Sequence, residues 1–87
     1  MALSKEWEIS HLTPRGWERG DCKYDNGKTI SNPVPEDAVL SIQKYVTWGA
    51  LGVMSSRDSE TTETRIIDDD NVIHELREKY GEPHFGI

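Results

Sequence analysis

The chain has 87 residues, 34% hydrophobic and 30% charged, with a formal net charge of −6. That length holds one domain with a modest core. Sixteen acidic against ten basic side chains argue against binding nucleic-acid phosphates or anionic membrane surfaces, both of which select basic patches. The lone cysteine, Cys22, excludes an internal disulfide, and no stretch nears the roughly 18 apolar residues of a membrane span.

Three Trp, three Tyr and one Phe separate this chain from disordered acidic sequences, which lack the apolar area to offset ordering entropy. A single domain over 1–87 is expected, with 1–4 and 82–87 as loosely ordered termini. The absence of an apolar run near Met1 sets a cytoplasmic location as the expectation.

In chain order, residues 6–12 alternate with period two: Trp7, Ile9 and His11 on one side, Glu8 and Ser10 on the other. A strand follows from that pattern, and Thr13-Pro14-Arg15-Gly16 suits a tight turn. Residues 17–24 make the partner strand of a hairpin, across which Trp7 and Trp17 either face each other or leave one indole projecting outward. The phase of this strand breaks between Trp17 and Arg19 on one side and Cys22 and Tyr24 on the other. Gly20 marks a bulge that resets it. Asp25-Asn26-Gly27 predicts a type I′ turn and a short returning strand over 28–30.

Pro33 and Pro35 place residues 31–37 in a loop. Residues 39–48 form the best strand, with Leu40, Ile42, Val46 and Trp48 on even positions. Lys44 interrupts that face, which implies either an edge strand or a lysine stem lying along the core. A bend over 49–52 and a polar loop over 55–60 are expected next, then a β-branched strand over 61–67. The one clear helix follows Asp68-Asp69-Asp70, which supply caps. Val72, Ile73, Leu76 and Tyr80 form its apolar stripe, and Gly81 and Pro83 end it. The predicted fold is α+β: an antiparallel sheet of about four to five strands, hairpins first, with a C-terminal helix packed on one face.

No run of residues carries a reaction signature. The 68–71 acidic cluster lacks the alternating ligands, glycine and distal glutamate of a calcium loop, and Cys22 stands where the first ligand before Asp25-Asn26-Gly27 belongs. Helix capping and a hairpin turn explain the two segments without a metal. Cys22 sits beside Asp21, which disfavours a thiolate, so it reads as a small buried side chain. His11, His74 and His84 share no metal-ligand spacing. No metal or cofactor is therefore expected. The hydroxyls of Ser55, Ser56, Ser59, Thr61 and Thr62 are candidate phosphate acceptors on a weak signal, since hydroxyl-rich loops are common.

The residues that a partner would use are Trp7, Arg15, Trp17, Trp48, Leu51 and Met54. Core packing is the ordinary fate of such aromatics, and an exposed indole beside an arginine is the mark of a contact surface. The leading expectation is a non-enzymatic protein-interaction module that occludes or augments a partner with a basic surface, in character like small inhibitor or immunity proteins of bacteria or phages. A homodimer through the same surface is a variant of it. The alternative is a small enzyme or ligand binder with a site assembled from Cys22, a histidine and carboxylates. An acidic mimic of DNA is disfavoured because the carboxylates are interspersed with Lys and Arg.

Overall fold

The computed structural model describes residues 5–51, 54–83 and 85, without the side chains of 47–59. Of the expected loose termini, 1–4, 84, 86 and 87 lie outside the described residues. The elements are β1 (Lys5–Thr13), β2 (Gly16–Tyr24), β3 (Thr29–Ile30), β4 (Leu40–Leu51), β5 (Met54–Arg65) and α1 (Asp70–Tyr80). The strands form one sheet in the order β3-β2-β1-β4-β5, every pair antiparallel. The α+β sheet with one C-terminal helix is as the patterning predicts.

Local chemistry explains the joints. Thr13 Oγ1 accepts from Arg15 N at 3.1 Å and donates to Gly16 O at 3.0 Å, tying the first turn. Gly16 adopts φ +119°, open only to glycine, and the Tyr80 ring lies 3.4 Å from where a β-carbon would stand. At the second hairpin only Gly27 has positive φ, so Asn26 does not take the left-handed conformation that a type I′ turn demands. Gly27 N donates to Tyr24 O at 3.0 Å and Tyr24 N to Lys28 O at 2.8 Å, a three-residue loop closed by a left-handed glycine.

The bulge at Gly20 is present. Glu8 pairs with Cys22 and Ser10 with Arg19, so Gly20 and Asp21 together oppose Ile9. This slip puts Trp17, Arg19 and Cys22 on one face of β2. A second shift, between Lys5↔Tyr24 and Trp7↔Lys23, returns Lys5 to the face of Glu8.

The core lies on that face, under α1. Leu12, Val39, Leu40, Ile42 and Ile73 are buried there, with Trp17, Ile67, Val72, Leu76, Tyr80 and Phe85 packed against them. Burying each such large apolar side chain is worth about 1.5–3 kcal/mol. Asp69 caps α1 through its side chain, which accepts from Asn71 N and Val72 N, and Gly81 N closes on Arg77 O at 2.7 Å.

The strands depart from the sequence expectations in several places. The alternation in β1 is right in phase, but the polar side is the covered one: Glu8 and Ser10 are buried beside Leu12, whereas Trp7 and Ile9 are half-buried on the opposite face. Of the two arrangements open to the indoles, the facing one does not occur: Trp17 pairs with Leu12 and Trp7 with Lys23, on opposite faces of the hairpin. Residues 55–60 are strand, β4 continues as strand through Gly49, Ala50 and Leu51 (residue 52 of the expected bend lies outside the described residues), and β5 stops at Arg65, short of Ile66 and Ile67. A strand paired on one side only can be polar throughout, because it needs few apolar side chains. Lys44 lies in an internal strand with its ammonium 5.9 Å from the Phe85 ring centre, the stem-along-the-core alternative.

Candidate functional site

The six sequence-chosen residues do not gather into one surface. Arg15 stands at the first turn, bonded through both terminal nitrogens to Asp37 (2.5 and 3.0 Å) and to Glu18 at 2.7 Å. Its bond to Asp37 holds that carboxyl below the ordinary range. Trp17 packs on the core and donates Nε1–H to Gly81 O at 3.0 Å, while the Tyr80 hydroxyl donates to Pro14 O at 2.6 Å. Together they fasten the end of α1 to the first hairpin. Trp7 is half-buried on the face away from α1, opposite Tyr45. The side chains of Trp48, Leu51 and Met54 lie outside the described residues.

A buried polar cluster occupies the helix-side face beyond the apolar core. Glu8 is 3% exposed and receives Lys5 Nζ on one oxygen and Arg19 Nε on the other, the latter at 2.7 Å. Cys22, fully buried beside it, has its thiol pKa raised by burial and then by the Glu8 charge, so the thiolate is disfavoured. His11 belongs to the other face, where its Nδ1 lies 2.6 Å from Ser41 Oγ. His74 is exposed on α1, 3.1 Å from Glu78. The sheet itself thus stands between Cys22 and His11. Among the described residues no group of three or more His, Cys, Asp or Glu is placed to hold a metal ion, and no helix is long and apolar enough to cross a membrane.

The surface with the most distinctive physics is at the other end of the sheet order. β5 is outermost, and among the described residues no strand pairs with its outer edge. Its residues 60–65 are exposed. Register with β4 puts Glu63 and Arg65 on the helix side, opposite Ile42 and Leu40, and Glu60 on the far side, opposite Tyr45. Between β5 and α1 lies an open cleft of about 510 Å³. Leu40 and Ile73 form its floor, and Glu63, Arg65, Asp70, Asn71, His74 and Arg77 its walls. Arg65 pairs with Asp70; Arg77 pairs with Glu63 at 2.7 Å and with Glu82 at 2.8 Å.

Most of the formal net charge lies in the stretch of chain that forms this region. Residues 60–82 hold eight carboxylates against three cations, a formal −5 of the total −6. Sequence reading missed this by taking the charges as interspersed. The run of polar, β-branched residues after Ser59 was the available signal for a solvent-facing edge strand.

No protein-family model matches the chain, and neither a curated protein nor a solved structure matches it.

Proposed function

We propose that this protein is a small non-enzymatic interaction module whose acidic side, formed by β5 and α1, docks on a basic surface of another protein. The observation that carries the reading is the coincidence of a free sheet edge with a formal −5 over residues 60–82. Carboxylates massed on one side accelerate encounter with a positive partner and reject acidic ones. An open strand edge supplies backbone donors and acceptors that any extended segment can use. The sign of the charge opposes a nucleic-acid target.

The test is capture from source lysate with the wild type and with a Glu60→Lys, Glu75→Lys, Glu78→Lys variant, side by side. A stoichiometric basic partner is expected on the wild type. It should disappear from the variant and elute as salt rises from about 0.05 to 0.5 M, where the Debye length falls below about 5 Å. No stoichiometric partner, or one indifferent to the three reversals, would overturn the reading.

A further inference from the structure

The edge and the cleft also specify how a partner is read. We infer that the basic partner adds an extended segment to β5, with one Lys or Arg entering the cleft against Glu63 and a second, three residues away, meeting Glu60 on the opposite face. This rests on the interaction reading above and names the partner's pattern.

Directly opposed residues of an added strand share a face with their β5 counterparts. Glu60 and Glu63 are three apart and therefore on opposite faces, so a strand satisfying both carries cations at the same odd spacing, whichever direction it runs. The two residues between would lie against Thr61 and Thr62, where β-branched side chains pair well. On the helix side the cleft lining pairs Asp70 with Arg65 and Glu63 with Arg77, and Arg77 is shared with Glu82 outside the cleft, so Glu63 holds only part of a cation. A partner's cation beside Glu63 would make up the share of Arg77 that Glu82 takes, and a Lys or Arg stem has the apolar surface of Leu40 and Ile73 to lie along.

A second copy of the chain fits this edge poorly. A two-fold axis pairs β5 with itself about one residue. Centring on Ser59 opposes Asp58 with Glu60, centring on Glu60 opposes it with itself, and centring on Thr61 opposes Arg57 with Arg65. Each of these long-overlap registers sets like charges face to face, which is unfavourable. An independent basic strand has no such constraint.

The experiment uses the full chain and two synthetic peptides of identical composition, rich in Thr and Val, with two lysines either three residues apart or two apart. Binding is measured by calorimetry and mapped by backbone amide shifts. The three-apart peptide should bind about tenfold tighter, and its shifts should fall on residues 60–65. Glu60→Gln, which breaks no ion pair among the described residues, should erase that preference, and Glu63→Gln should do the same. Equal affinity for the two peptides, no binding of either, or shifts confined to the Trp7 and Tyr45 face would overturn the pattern. So would a concentration-dependent dimer that the peptide disperses, since a second copy would then own the edge. If both peptides fail while the captured partner still depends on Glu60, Glu75 and Glu78, the pattern falls and the acidic docking side stands. If the peptides discriminate as expected but no partner is captured, the edge reads the pattern and the claim of a stoichiometric protein partner falls.

Discussion

At Gly20 the β2 strand gives up a side chain so that β1 can keep one. A β-carbon there would stand 2.3 Å from His11 Nε2, and that imidazole is buried and bonded to Ser41, so it has little room to retreat. Gly20→Ala should therefore destabilise by about 1–3 kcal/mol, as overpacking does. Chemical denaturation of Gly20→Ala alone and combined with His11→Ala checks it. The second change should restore part of the loss, whereas an unchanged loss would point to backbone strain instead. The same imidazole gives the fold an acid limit. Burial lowers its pKa below the ordinary 6.5, outweighing the opposite pull of Asp21 and Glu18. The unfolded chain then binds the proton more readily. Stability is complete above about pH 6.5 and falls as the pH drops below that toward the folded pKa. His11→Gln should flatten a melting-temperature profile measured between pH 7 and pH 5.

Among the elements, β5 shows most plainly how a polar sequence makes a strand. Its residues 60–65 are exposed, so its place is held by the ladder to β4 and by the pairs Arg65–Asp70 and Glu63–Arg77 rather than by apolar burial. Exposed ion pairs contribute little each, roughly 0–1 kcal/mol. The ladder therefore dominates, and adjacent prolines should separate its two sides. Of Thr61→Pro and Thr62→Pro, the substitution removing an N–H that points at β4 should lower the melting temperature markedly. The one removing an outward N–H should leave it nearly unchanged. Two equal losses would mean that both edges of β5 are occupied. α1 is built differently: a capped start at Asp69, a glycine stop at Gly81, and a stripe whose Ile73 reaches the core. A helix of 11 residues is marginal alone, so the hydrogen bonds of Trp17 and Tyr80 and the apolar stripe hold it in place.

For the whole molecule, the concentration of −5 on one side is a liability as well as a surface. Self-repulsion among those carboxylates opposes compaction, and salt screens it. The melting temperature should rise between low and moderate salt, and Glu75→Lys, at an exposed helix position, should weaken that dependence. A melting temperature that falls with salt would show that the pairs of Arg65 and Arg77 outweigh the repulsion. The opposite sheet face, with Trp7, Ile9 and Tyr45, is only partly covered. A bound partner could contact it without using the edge, which is why shifts confined to it count against strand addition.

What the amino-acid order determined alone was local: the turns at Pro14 and Asn26, the bulge at Gly20, the caps and stripe of α1, and the net charge. Each depends on residues a few positions apart, whose backbone preferences act before any distant contact forms. Which face of β1 is buried, which strand is outermost, and which side gathers the charge depended on long-range pairing. Glu8 and Ser10 look like solvent residues until Lys5, Arg19 and Cys22 are brought to them through the shifted register of β2. Residues 55–60 look like a loop until β4 supplies the hydrogen bonds that make them a strand. The carboxylates of 60–82 were legible as a run, but they became a surface only when the chain placed β5 at the rim and returned α1 beside it. Within a strand a polar side chain is satisfied equally by water or by a buried partner, so which face it takes is set by the partners that tertiary structure delivers.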